Sequence, residues 1–145
     1  MTQRTSTACL VAALAVSIIG ASCGRPPDAT PASGAAQVAS IGQTTVTFSS
    51  EPDPPKAGDN GILVAVKQAD GTPITDARVT AVFSMPAMPS MNMPAMRSEA
   101  TLEHQGAGVY RGLGQLSMSG TWNVAVAVSR GGLDLGSARF SVVAK

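Results

Sequence analysis

From residue 44 onward apolar and polar positions alternate with a period of two, and turn residues interrupt the pattern every eight to twelve positions. Thr44–Ser49 reads as a first strand. The stretch 51–60 reads as a loop, because Pro52, Pro54 and Pro55 cannot donate to a ladder. Ile62, Val64 and Val66 share a face up to the turn signal Asp70-Gly71, and Val79, Ala81 and Phe83 repeat the pattern. Ala100 and Leu102 mark a weaker strand, and Tyr110 marks the next, among Gly106, Gly108, Gly112 and Gly114. Trp122, Val124, Val126 and Val128 form the clearest strand, which ends at the hairpin-like Arg130-Gly131-Gly132. The last strand carries Leu135, Ala138, Phe140 and Val142, and the change of parity near Gly136 predicts a β-bulge there. No stretch beyond residue 22 sustains a capped 3.6-residue period. Seven short strands at this spacing predict an all-β, immunoglobulin-like β-sandwich of about 100 residues, with Trp122 in its core. The Cys…Trp…Cys spacing of antibody domains is missing.

The first 43 residues follow a different pattern. Residues 1–7 are polar and include Arg4, and Ala8–Ile19 is an apolar run. That run has the length of a signal-peptide h-region and is shorter than the roughly 20 residues a spanning helix needs. Gly20-Ala21-Ser22-Cys23 then resembles a lipobox, in which cleavage precedes a cysteine that becomes diacylated, although Gly20 stands where Leu is usual. The alternative is an ordinary signal peptide beside an incidental cysteine. Cys9 lies in the segment to be removed, so the mature chain would hold Cys23 alone and no internal disulfide. A lipid with several acyl chains on Cys23 would anchor the protein to a membrane outside the cytoplasm. With Gly24 rather than Asp next, a Gram-negative host would place it in the outer membrane, facing the periplasm. Residues 24–43 are rich in Pro, Ala, Ser and Gly and show no apolar period, so they read as a flexible linker of roughly 25 Å. The expected organisation is a signal peptide over 1–22, lipidated Cys23 and linker over 23–43, and one domain over 44–145.

Composition narrows the function. Apolar residues are 44% of the chain and aromatics 3%, so the core must be Val, Ala, Leu and Ile around Phe48, Phe83, Tyr110, Trp122 and Phe140. The formal net charge is +1, and removing residues 1–22 leaves nine Lys/Arg against nine Asp/Glu. Such a balance has no electrostatic footprint for nucleic acid. One His, no thiol within the domain and no nucleophile elbow leave little for acid–base or covalent catalysis, so a binding role is expected rather than an enzyme.

The unusual feature is methionine. Of seven Met, five fall in Ser84-Met-Pro-Ala-Met-Pro-Ser-Met-Asn-Met-Pro-Ala-Met-Arg97. Pro86, Pro89 and Pro94 predict an extended or polyproline-like loop without ladder pairing. Met85, Met88 and Met91 would share one face of it, their sulfurs roughly 9 Å apart. Met91, Met93 and Met96 would lie closer, since Asn92 permits a turn. Thioether sulfur is a soft, neutral donor that suits Cu(I) rather than Zn(II), Mg(II) or Ca(II). The candidate metal ligands are therefore Met85, Met88, Met91, Met93 and Met96, with Met118 and His104 to complete the site. Methionine also fills cores and lines adaptable protein-binding surfaces, and an exposed His104 with no ligand role is the ordinary alternative.

Pro54…Gly58-Asp-Asn60, Asp70-Gly-Thr-Pro73, Met85-Pro-Ala-Met88, Met93-Pro-Ala-Met96, Gly108-Val-Tyr110 and Met118-Ser-Gly-Thr-Trp122 together resemble the YtkA-like/FixH-like family over residues 44–143. The resemblance implies a small immunoglobulin-like β-domain, exported or membrane-anchored. It also implies partners of the kind such domains accompany, namely cytochrome oxidase assembly components or metal-efflux proteins. The chain departs from the FixH type, which keeps an uncleaved transmembrane anchor. Two functions follow as expectations: Cu(I) handling by the methionine loop, or docking of that loop on an efflux or oxidase-assembly protein.

Overall fold

The structure, a computed structural model, describes residues 36–145. The expected signal peptide, Cys23 and the linker up to residue 35 lie outside the described residues. Eight strands form: β1 (Gln37–Ile41), β2 (Thr44–Glu51), β3 (Gly58–Gln68), β4 (Ala77–Met85), β5 (Met96–Gly106), β6 (Val109–Leu116), β7 (Gly120–Arg130) and β8 (Leu133–Ala144). All pairings are antiparallel, in the order β1-β2-β3-β6-β5-β4-β7-β8. Apart from β1, this is the immunoglobulin arrangement of a four-stranded sheet, β2-β3-β6-β5, facing a three-stranded one, β4-β7-β8. One strand belongs to both. Residues 96–102 of β5 pair with β4, and residues 103–106 pair with β6. Turning a corner in this way lets a strand switch sheets. The result is a sandwich that is nearly closed.

The fold differs from the sequence expectation in its first strand. Gln37–Ile41, placed in the linker by composition, pairs with β2 through a two-residue turn, Gly42-Gln43, with Ile41 opposite Thr44. Gly42 has φ +55°, the positive value that a type II′ hairpin asks of its first turn residue. The short β1 alternates in burial and reaches across to β8. The Gln37 side-chain amide donates to the Ser141 carbonyl (2.7 Å), and the Ser141 N–H donates back to the Gln37 side-chain carbonyl (3.4 Å). The strand count is therefore eight, and the folded domain begins ahead of residue 44. The predicted loop at 51–60 is also shorter, since β3 starts at Gly58.

The other strands and their inward faces match the expectation. Val46, Phe48, Ile62, Val64, Val66, Val79, Ala81 and Phe83 point inward, as do Trp122, Val124, Val126, Val128, Ala138, Phe140 and Val142. The parity change in the last strand is a register shift opposite Val128 and Ser129, beside Gly136 at φ +121°. Ile41 fills the space a Cβ at Gly136 would need, so the bulge also seats β1. The large polar aromatics are satisfied inside. The Tyr110 hydroxyl donates to the Ile74 carbonyl (2.9 Å) and accepts the Ala77 N–H (3.0 Å), which pins the β3–β4 connection to the core. The Trp122 indole N–H donates to the Met118 carbonyl (3.1 Å).

Candidate functional site: a methionine pocket at one end of the sandwich

The C-terminal end of β4, the N-terminal end of β5 and the β6–β7 connection meet at one end of the sandwich, because Ser84 pairs with both Arg97 and Asn123. The connection from β4 to β5 is not an extended loop. Met85 pairs with Met96 at its base, and above them Met88 and Met93 exchange backbone hydrogen bonds of 2.9 and 3.2 Å. Between these, Met88 accepts the Met91 N–H (3.0 Å) across a 3-10 turn over Pro89–Met91, which Asn92 closes in the left-handed region at φ 53°. The prolines do not block this pairing. Pro89 opens the turn, where a fixed φ is favourable, and Pro86 and Pro94 flank the Met88–Met93 bridge without being asked to donate.

Folding back in this way gathers sulfur. Met85, Met88, Met91 and Met93 line an open pocket of about 360 Å³, and Met118 faces them from the β6–β7 connection, with Pro86, Ser119, Gly120 and Thr121 completing the wall. Met85 is its floor, only 4% exposed, and Met91 is its rim, 63% exposed. Gly120 permits the floor: at φ +137° it has no Cβ, and one placed there would lie 3.0 Å from the Met85 terminal methyl. Trp122, fully buried, donates to the Met118 carbonyl, so the second loop is tied to the core independently of the hairpin.

Two candidate ligands are not part of this group. Met96 pairs with Met85 but is half-buried against the core and does not line the pocket. His104 sits eight residues further along β5, roughly 26 Å of extended strand away. There it receives a long N–H contact from Gly108 (3.4 Å) and packs its ring 5.2 Å from that of Tyr110. The fold brings the Met118 segment to the hairpin but not the His104 segment. Conversely, Ser119, Gly120 and Thr121 line the pocket without having been singled out individually. Their only sequence signal was membership of the Met118–Trp122 motif.

The pocket lining carries no ionisable side chain. Among the described residues, the two carboxyls held below their ordinary values lie elsewhere. Asp70 is held there chiefly by the Thr72 N–H, and Asp76 by the Arg130 guanidinium at 2.8 Å. Both favour the folded state above the ordinary carboxylate range and lose that contribution as pH falls. Both are fully exposed, so the effect is small. A larger depression, about 710 Å³, crosses the outer face of β4, β7 and β8 between Arg97 and Arg139, but it contains no sulfur.

Fold and site together define a small, immunoglobulin-like β-sandwich with a thioether-lined pocket at one end. Residues 39–127 match the YtkA-like family, and the chain belongs to it. No curated protein matches the chain.

Proposed function

We propose that this domain is an extracytoplasmic binding module, anchored to a membrane through lipidated Cys23, that holds Cu(I) in the methionine pocket and passes it on. The observation that supports this is the convergence of five thioethers on one pocket. Neutral soft donors match a soft monovalent ion, and outside the cytoplasm thioethers resist the oxidation to disulfide that removes thiols. A rim ligand as exposed as Met91 gives an acceptor a side from which to take the ion.

The test is an anaerobic Cu(I) titration against a competing chelator. It uses the full chain carrying Cys9→Ser and Cys23→Ser, so that no thiolate competes. Replacing Met88, Met93 and Met118 together with Leu keeps size and apolarity but removes sulfur. Affinity should fall by roughly 100-fold, about 2.7 kcal/mol, with the fold retained. A folded variant that binds Cu(I) as tightly as the parent refutes the reading. Thioethers do not titrate, so the parent's affinity should persist down to about pH 5, whereas a site needing imidazole weakens below about pH 6.5.

The exposure of Met91 beside an apolar pocket favours one other reading, a docking surface for a metal-efflux or cytochrome oxidase assembly component. The same triple variant separates the two, since Leu keeps the apolar surface: docking should survive and Cu(I) binding should not. Anchoring has its own test. Cys23→Ser should release the protein from membranes or leave an uncleaved precursor, whereas a correctly cleaved variant that stays membrane-bound argues against the anchor.

A further inference from the structure

The pocket brings together donors that differ in position but not in charge. Every lining side chain is neutral, and the only oxygen donors among them are the Ser119 and Thr121 hydroxyls. Among the described residues no three His, Cys, Asp or Glu side chains gather as a metal-binding group. A divalent ion entering such a pocket would exchange its hydration shell for uncharged, weakly basic sulfur, with no anion to offset its charge. A monovalent soft ion gives up far less hydration and gains more from sulfur. Position matters as well. Met85 is buried at the floor, and Met88, Met91 and Met93 belong to one hairpin, so only Met118 approaches from a different loop. That loop is fixed independently, through the hydrogen bond from the buried Trp122 to the Met118 carbonyl.

We infer that the pocket selects ions by charge and softness, taking Ag(I) as well as Cu(I) while rejecting Cu(II) and Zn(II), and that Met118 is the ligand that closes the donor set. The inference rests on the Cu(I) reading above and narrows it. An ion held between Met118 and the hairpin cross-links two loops that otherwise share no backbone hydrogen bond among the described residues. Binding should therefore quiet the motion of the hairpin methyls. Met96, outside the pocket, takes no part.

The experiment uses the same full chain with Cys9→Ser and Cys23→Ser, labelled at the methionine methyls. It is titrated in chloride-free buffer with Ag(I), Cu(II) or Zn(II), and anaerobically with Cu(I). Cu(I) and Ag(I) should each shift the Met88, Met91, Met93 and Met118 methyl signals, and Cu(II) and Zn(II) at equal concentration should not. Met118→Leu should weaken Ag(I) binding at least about tenfold, and Met96→Leu should leave it unchanged. Absence of Cu(I) binding by the parent overturns the copper reading itself. Cu(I) binding without Ag(I) binding, or matched by Cu(II), overturns the selectivity. A folded Met118→Leu protein that holds Ag(I) as tightly as the parent, or a Met96→Leu protein that loses it, overturns the two-loop donor set.

Discussion

Trp122→Ala is expected to destabilise the domain by about 3–5 kcal/mol, the usual cost of deleting a large buried aromatic. Trp122 is the largest side chain with no exposed surface, and it sits on β7 between the two sheets. With so few aromatics in the chain, neighbouring Val and Ala side chains cannot swell to fill the space it leaves. The indole N–H adds a second loss, because without it the Met118 carbonyl must find water or go unpaired. For a domain whose total stability falls within about 5–15 kcal/mol, the melting temperature should drop by well over 10 °C. Urea unfolding followed by circular dichroism measures this, since the variant lacks the only tryptophan. Trp122→Phe restores most of the packing but not the hydrogen bond, so it should recover most of the stability. A loss below about 1 kcal/mol for the alanine variant would mean that Trp122 does not hold the sheets together.

The second large effect is expected at Gly108. Residues Ala107 and Gly108 join β5 to β6 with φ of 48° and 72°, the pair of positive values that a type I′ hairpin turn requires. At Gly108 a Cβ would lie 2.7 Å from the Val66 carbonyl oxygen, 2.9 Å from the Pro73 Cβ and 3.2 Å from the Ile74 nitrogen. Two of these three are backbone atoms, already committed: the Val66 carbonyl accepts the Ile74 N–H (2.9 Å), and Gly108 accepts the Val66 N–H (2.8 Å). Gly108→Ala therefore combines an unfavourable backbone conformation with a clash that no side chain can relieve by rotating. Each contributes about 1–3 kcal/mol, so a loss of roughly 3–5 kcal/mol is expected. Ala107→Gly at the neighbouring position should be neutral or stabilising. If both variants unfold at the same denaturant concentration as the parent, the turn is not confined as described.

These positions also show what a sequence does and does not disclose. The strands from β2 onward are legible because each meets the opposite sheet with one face only, and the burial requirement writes itself as alternation. Gly136 announces its bulge by the shift of parity between Leu135 and Ala138. Strand β1 is hidden because Gln37-Val-Ala-Ser-Ile41 contributes only two large apolar side chains, inside a segment whose Pro, Ala, Ser and Gly content reads as linker. Its signal was the two-residue spacing at Gly42-Gln43. The methionine content was plain, but its geometry was not. The prolines suggested an extended loop, while in fact they sit where a turn has no use for an N–H. The partnership of Met118 with the hairpin depends on pairing between strands distant in sequence, which no local pattern encodes. His104 could join the methionines only if the fold brought its segment near, and β5 instead carries it along its length away from the pocket.

The contact between Gln37 and Ser141 has a consequence for the behaviour of the protein at high local concentration. In an open sandwich the outer side of β8 would present free backbone N–H and carbonyl groups to any passing strand, the usual start of edge-to-edge polymerisation. Here one primary amide occupies both groups of Ser141, and β1 lies alongside the same border. Gln37–Ile41 thus acts as a selvedge, finishing the border of the sheet so that neighbouring molecules crowded together are not stitched into it.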